Sequence, residues 1–413
     1  MPWAKRKVAD WMDRRRDNIS DRCDASVRRI LDDVRVRGDA AVREWTERYD
    51  GVVLADYRVA GSTCRQAADG LGQTLREALD LAADRIRGFL ETTRPPRAKS
   101  GPVQDGLMAR VIWEPLRRVA VYVPAGQFPL CSSVLMGVLP AQVAGVPEIV
   151  LLTPPRKDGR PDPTTLAAAA LLGIDEVYAV GGVQAIAAAA YGTETLKPVD
   201  AIVGPGSYYV TEAKRQVSGV VRIDGLNGPS EVIVWGAPPA SAHQAALDVL
   251  AQAEHDPRSW ALVLSDRPEW LDAVGRRAMK LHDGLLDRPG VGAVEVSTSE
   301  EAVRFINDFA PEHLELWGPA VQYADRITSA GATFLDCPTP LGDYVAGPNH
   351  VLPTGGQARR ASVLGVEDFL HRRTETRVVG DAGRLIAAGM QLARAEGLER
   401  HLAALKGFQE GAS

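Results

Sequence analysis

The sequence predicts an α/β protein: two Rossmann-like, mostly parallel α/β domains, a helical N-terminal region and a helical C-terminal tail. Three observations carry that expectation. At 413 residues the chain exceeds what one compact core accommodates. From Arg118 onward, short apolar β-rich runs alternate with helical runs, as strands buried in a parallel sheet do. The alternation restarts after Glu231, so two such blocks are expected.

In chain order, residues 1 to about 95 are charged and helix-rich. The clearest stretch is VRRILDDVRVRGDAAVREWTERYDG, where Val27, Ile30, Leu31, Val34, Ala41, Val42 and Trp45 recur at helical spacing and Gly38 interrupts. TTRPPRAKSGP, residues 93–102 with the flanking threonine, reads as a linker. The first block runs VAVYVPAG, SSVLMGVLPAQVAG, EIVLLTPP, TTLAAAALLG, EVYAVGG, QAIAAAAYG, AIVGPG and YYVTEAKRQVSG, strand and helix in turn. The second contains VIVWG, AHQAALDVLAQAEH, ALVLSD, GAVEVS, SEEAVRFINDFA, HLELWG and GATFLD. After Pro353 the β character fades, and the chain ends in the helical tail GRLIAAGMQLARAEGLERHLAALKGF.

Hydrophobic residues make up 45% and charged residues 24%, ordinary globular usage. Lys and Arg number 48 against 53 Asp and Glu, a net charge of -5. Nucleic acids and anionic membranes ask for a basic face, so neither is an expected partner. Cys23, Cys64, Cys131 and Cys337 form no CxxC pair, which disfavours a cysteine zinc site or a disulfide framework and fits a reducing cytoplasm. MPWAKRKVADWMDRRRD lacks the apolar core of a secretory signal. No apolar run approaches the roughly 18 to 20 residues that span a bilayer. A soluble, cytoplasmic protein is expected.

All seven histidines stand at position 243 or later, so part of a site is expected there. In AQAEHD, Gln252 and His255 lie one helical turn apart and project from one face. An amide oxygen and an imidazole so placed suit a borderline metal such as zinc. The competing reading is a helix C-terminus where His255 caps carbonyls. APEHLEL offers Glu312 beside His313, a carboxylate and an imidazole fit for paired acid/base work. Neighbours in a strand face opposite ways, so the pair serves one cleft only at a turn; otherwise it is a solvated loop pair. LGDYVAGPNH places Asp343 and His350 in a Gly- and Pro-rich loop, where Asp343 is either an anionic metal ligand or part of an Asx turn. Glu396 and His401 stand about 140° apart on a straight helix, so they would approach one ligand from different sides or after the helix breaks at Gly397; surface charges are the default reading. GPGS (204–207) between strand and helix can present amides to a phosphate, but it lacks the third glycine of GxGxxG. No HExxH, GxSxG or P-loop occurs, which weakens metalloprotease, serine hydrolase and NTPase readings.

Taken together, RGDAAVREWTERYDG, RVAVYVPAG, YAVGGVQAIAAAAYGTE, VDAIVGPG, IDGLNGPSEV, AQAEHD, APEHLEL, GDYVAGPNHVLPT and AEGLERH resemble the histidinol dehydrogenase family in content, order and spacing over nearly the whole chain. The resemblance implies a zinc- and NAD-dependent, four-electron alcohol dehydrogenase of histidine biosynthesis. The zinc ligands would be Gln252, His255, Asp343 and His401, and the catalytic pair Glu312 and His313. Ser230, His350 and Glu396 would contact substrate beside the metal ligands and His313; Tyr122, Gln184 and Ser207 would contact NAD. An intertwined homodimer is implied, the tail completing the partner's site. The domains then run as an arm (1–20), a metal and catalytic α/β domain (21–114 plus 232–353), an NAD domain (115–231) and the intersubunit dimerisation tail (354–413).

Departures from the family pattern are Ala125 in YVPAG, the QFPLCSS run, Ser207 in GPGS and His371 in FLH. They leave open a paralogue acting on another small polar alcohol, such as a sulfonated diol. A zinc hydrolase is the rival chemistry, since a metal, Glu and His equally activate water. A non-catalytic small-molecule binder is the third class, and retention of Glu312 with His313 argues against it.

Overall fold

The computed structural model describes residues 3–18, 25–125, 129–281 and 284–411; Cys23, His282 and the Gln127 and Phe128 of QFPLCSS lie outside the described residues. Strand β1 (Ala4–Lys7) leads into α1 (Val8–Asn18), followed by α2 (Ala25–Arg37), α3 (Asp39–Asp50), β2 (Arg58–Val59), α4 (Gly61–Asp69) and α5 (Gln73–Thr93). Gly38 separates α2 from α3 with φ +53, and a Cβ there would run into the Glu194 carboxylate that caps the Asp39 N–H. Strands β3 (Ala98–Ser100) and β4 (Leu107–Pro115) come next.

The first α/β block holds β5 (Arg118–Tyr122), α6 (Cys131–Ala144), β6 (Glu148–Thr153), α7 (Pro163–Leu171), β7 (Val177–Ala179), α8 (Gly182–Tyr191), β8 (Ala201–Val203), α9 (Tyr208–Val217) and β9 (Arg222–Ile223). The second holds β10 (Glu231–Gly236), α10 (Ala242–His255), β11 (Trp260–Ser265), α11 (Pro268–Leu281), β12 (Val291–Glu295), α12 (Ser299–Phe309), β13 (His313–Trp317), β14 (Ala332–Leu335) and α13 (Thr339–Tyr344). The chain closes with β15 (Leu370–Val378), α14 (Gly383–Ala395) and α15 (Glu399–Gly411).

Two six-stranded sheets result, ordered β2-β7-β6-β5-β8-β9 and β1-β12-β11-β10-β13-β14. Every pairing in them is parallel except β2 with β7. In each block the strands take the order third, second, first, fourth, fifth, with an N-terminal strand added beyond the third. The two blocks therefore repeat one doubly wound topology. Helices cover both faces, which is why β5, β10 and β11 are buried along their whole length and apolar except at their ends, Arg118, Glu231 and Ser265.

Two features of the organisation differ from the sequence expectation. Residues 21–114 were expected with 232–353, but α2 and α3 pack on α8, α4 on α7 and α5 on α6, all in the first block. The stripe Val27, Ile30, Leu31, Val34 and Val42 is buried there against the alanines of α8, whose small side chains admit a close helix approach. The N-terminal arm instead joins the second block: β1 pairs with β12, and Trp11 donates its indole N–H to Ala293 O at 3.1 Å. Residues 354–413, in turn, are not a purely helical tail. The chain divides into two compact units, 1–94 with 116–369, and 95–115 with 370–413. In the second unit β15 runs antiparallel to β4 from Leu370↔Pro115 to Val378↔Leu107, and β3 pairs on β4's other edge. LHRRTETRV is charged and mostly exposed, so apolar periodicity does not announce it as a strand. Among the described residues no helix is long and apolar enough to cross a membrane.

Candidate active site

Glu312 and His313, the candidate acid/base pair, sit at the amino edge of the second sheet. Helix α12 ends at Ala310, a left-handed cap with φ +50 whose N–H returns to Ile306 O; Pro311 and Glu312 then turn into β13, which opens on His313. The junction is the turn that adjacent side chains need in order to meet. Both converge on one residue of β10: Glu231 N–H donates to Glu312 Oε2 at 2.8 Å, and His313 Nδ1–H donates to the Glu231 carbonyl at 3.1 Å. His313 Nε2 faces Asp343 Oδ1 at 3.2 Å, Glu312 Oε2 stands 3.5 Å from His313 Nδ1, and the Phe334 ring stacks on the imidazole. Burial disfavours a charged imidazole, yet Glu312 and Asp343 outweigh it and raise the His313 pKa well above the ordinary range. Burial likewise opposes the Asp343 charge, but His313, and then His350 and His255, hold its carboxyl below the usual range.

Helix α10 delivers Gln252 and His255 to the same edge, Gln252 buried and His255 exposed, and α13 packs on α10. Asp343 therefore lies in a short helix, not in the loop that its Gly and Pro neighbours imply. His350 Nδ1–H donates to the Asp343 carbonyl at 2.7 Å, and burial pushes its pKa down. Ser230, half-buried, stands just before β10, its carbonyl accepting from Trp260 N–H at 2.9 Å. In the second unit, Glu396 caps α14, Gly397 (φ +71) breaks the helix, and exposed His401 follows in α15.

The candidate nucleotide residues Tyr122, Gln184 and Ser207 gather at the carboxyl edge of the first sheet, beside β5 and β8, where the strand order reverses and α/β proteins open a ligand crevice. Tyr122 ends β5, and its hydroxyl accepts from Gly182 N–H at 3.2 Å. Gln184 is buried in α8 with Nε2 3.5 Å from Thr46 Oγ1 and no partner for Oε1. Exposed Ser207 precedes α9 without capping it through its side chain. Gly204 holds φ +115, and a Cβ there would collide with the Tyr122 carbonyl. Buried Lys214 donates to Gly204 O at 3.0 Å and to Asp224, which accepts from Gly204 N–H at 2.7 Å, so this turn is fixed on both sides. Of the departures, Ala125 bridges to Pro129, and His371 lies exposed on β15.

Sequence reading missed Ser133 and Glu231. Ser133 Oγ stands 3.5 Å from His350 Nε2. The series Ser133, His350, Asp343, His313 thus connects the start of α6 with the start of β13, and so one sheet's carboxyl edge with the other's amino edge. Ser133 was legible only as a serine opening a helix; Glu231 acts through its backbone, which letters do not mark.

The residues fit the two groups that the resemblance implies. Gln252 is 3% exposed, and its amide nitrogen has no partner; a flip of the amide exchanges nitrogen for oxygen. Amide oxygen, imidazole and carboxylate from Gln252, His255 and Asp343 form a donor set suited to zinc. Among the described residues no three His, Cys, Asp or Glu side chains form such a group. On the nucleotide side, the unpartnered Gln184 Oε1 can accept from a ribose hydroxyl or a carboxamide, and the start of α9, uncapped by any side chain, offers backbone N–H groups to a phosphate.

Two doubly wound sheets, with a buried Glu–His pair at one edge and a glycine turn at the other, define a two-sheet α/β protein with a candidate ligand crevice. The family model "Histidinol dehydrogenase" matches residues 13–407, and the chain belongs to that family. It is 42% identical to the histidinol dehydrogenase of a Synechococcus species over 407 residues, covering 94% of this chain and 93% of that protein. It is 44% identical to the histidinol dehydrogenase of Ruegeria pomeroyi over 394 residues, covering 92% and 90%. The crystal structure of histidinol dehydrogenase from Elizabethkingia anophelis superposes with a TM-score of 0.93 at 30% identity, covering 100% of this chain and 99% of that one. The crystal structure of PnpE in complex with nicotinamide adenine dinucleotide, at 17% identity and TM-score 0.53 over 84% of this chain and 89% of that one, shares the fold alone.

Proposed function

We propose that this chain oxidises L-histidinol through the aldehyde to histidine, with zinc and two NAD, as a cytoplasmic enzyme of histidine biosynthesis. The observation that carries this reading is the convergence of Glu312 and His313 on Glu231, beside Asp343, in a chain of the histidinol dehydrogenase family. When bound, zinc on Gln252, His255, Asp343 and His401 would clamp the substrate's nitrogen groups and add positive charge, and NAD would accept a hydride in each half-reaction.

The chain's own groups do the rest. His313 Nδ1 is pinned to Glu231, so Nε2 is the atom that takes the hydroxyl proton as the C–H bond gives up its hydride; it is free to do so once the Asp343 carboxylate is engaged as a metal ligand and no longer holds a proton there. Glu312 then takes a proton from water as the water oxygen attacks the aldehyde carbon. The hydrate loses its second hydride, with His313 again the base, and a carboxylate remains. Ser230, His350 and Glu396 orient the substrate, while Tyr122, Gln184 and Ser207 line the nucleotide crevice. The exposed His401, with Leu392 64% exposed and Phe408 49% exposed on the same tail, supports a homodimer in which the tail covers a partner's site.

The relatives' names favour histidinol over a sulfonated diol and over hydrolysis. An NADH-formation assay across L-histidinol, other amino alcohols and sulfonated diols tests the choice. Turnover of L-histidinol at least about tenfold above the rest in kcat/KM is expected, a modest discrimination for hydrogen-bonding sites; preference for a diol would overturn it.

A further inference from the structure

Beneath the site lies a second pair of acidic side chains that the reaction does not use. Glu315, two residues after His313 on the same face of β13, is fully buried. Its Oε1 accepts from Thr339 N–H at 2.7 Å and Thr339 Oγ1–H at 2.6 Å, and its Oε2 from Trp317 Nε1–H at 2.8 Å. Asp248, on α10 one turn before Gln252, is 3% exposed. Its Oδ1 accepts from Gln244 Nε2 at 2.8 Å. Its Oδ2 is enclosed with no hydrogen-bond partner, and the Glu315 carboxylate is the charge that bears on it.

Two ionised carboxylates in contact are untenable in a dry interior. A proton on Asp248 Oδ2 turns the repulsion into an O–H···O⁻ hydrogen bond, one of the stronger kinds. Burial first, and the Glu315 charge second, push the Asp248 carboxyl up to about 8. The other titratable group facing the pair is Cys337, its thiol raised by burial and by the same two acids.

We propose that Asp248 and Glu315 are a positioning pair for the reaction: one shared proton clasps α10, β13 and α13, and so fixes Gln252 and His255 against Asp343 and His313. Thr339 is the first residue of α13, so Glu315 holds that helix directly, while Asp248 holds α10. The inference rests on reading Gln252, His255 and Asp343 as metal ligands.

Asparagine at position 248 reproduces the neutral acid, with an oxygen for Gln244 and an N–H for Glu315. Glutamine at 315 does not, because either orientation of its amide turns an NH2 group against Thr339 or Trp317. The test compares wild type with Asp248→Asn, Asp248→Ala and Glu315→Gln for zinc affinity by chelator competition, for kcat and KM with L-histidinol, and for melting temperature. Asp248→Asn is expected within about threefold of wild type in zinc affinity and kcat. Asp248→Ala and Glu315→Gln are expected to lose roughly 10- to 100-fold, as groups supporting metal ligands do. If Asp248→Ala does not fold, Asp248→Leu, which fills the space without donating, takes its place. Wild-type zinc affinity in the apolar variant overturns the inference, as does a tenfold loss in a folded Asp248→Asn. A wild type that takes up no zinc refutes the metal reading and the pair with it; a zinc-binding wild type with indifferent variants refutes the pair alone.

Discussion

Glu312 and His313 are neighbours in sequence that work only because β13 begins between them. Glu312 spends one oxygen on Glu231 N–H, and His313 spends Nδ1 on the Glu231 carbonyl, so each is oriented by the same peptide neighbour. If Glu312 serves water activation, Glu312→Gln will retain aldehyde formation while aldehyde oxidation falls at least about a hundredfold, the lower range for a general base. The two half-reactions are measured separately, with the alcohol and with the aldehyde as starting material; equal losses would end this division of labour. The residue types were legible in the sequence, and so was the requirement for a turn. Their convergence on Glu231 was not, because a backbone carbonyl leaves no letter. Asp248 was also missed, since a lone acid in a helix reads as a surface charge; its signal was the i, i+4 spacing to Gln252 on a face otherwise filled by Ala245 and Val249.

Among the elements, buried parallel strands and their alternating helices were read directly, because a strand covered on both faces must be apolar throughout. β1 and β15 escaped the same reading. AKRK is an edge strand held only by β12, and LHRRTETRV is exposed, so pairing with a distant partner, not local apolarity, makes each a strand. The glycine turn after β8 was legible as a strand-to-helix punctuation, but its dependence on Tyr122, Lys214 and Asp224 was not. Gly204→Ala should cost about 1–3 kcal/mol for a strained backbone, seen as a lower melting temperature, and should weaken NAD binding measured by calorimetry. Unchanged melting and unchanged NAD affinity would show that the turn neither strains nor serves the crevice.

For the molecule as a whole, the repeat of one topology sets the candidate nucleotide residues on a carboxyl sheet edge and the proposed acid/base pair on an amino edge. The letters announced two α/β blocks but not their kinship, since equivalent strands share burial and not sequence. They also misassigned helices α2 to α5, because an apolar stripe says that a helix is buried without saying against what. A tail bearing His401 in a separate compact unit leads to a prediction about assembly. His255→Ala and His401→Ala should each lose zinc and activity, and mixing them with random subunit exchange should restore up to about a quarter of wild-type activity, since half the dimers are mixed and each has one intact site. No recovery, with exchange confirmed by tagged subunits, would mean that His401 serves its own chain or none. The central claim is a four-electron oxidation, and its most direct test is stoichiometry: limiting L-histidinol, zinc-loaded protein and excess NAD, followed to completion. Two NADH and one histidine per L-histidinol are predicted; one NADH with accumulated aldehyde, or none at all, would contradict it.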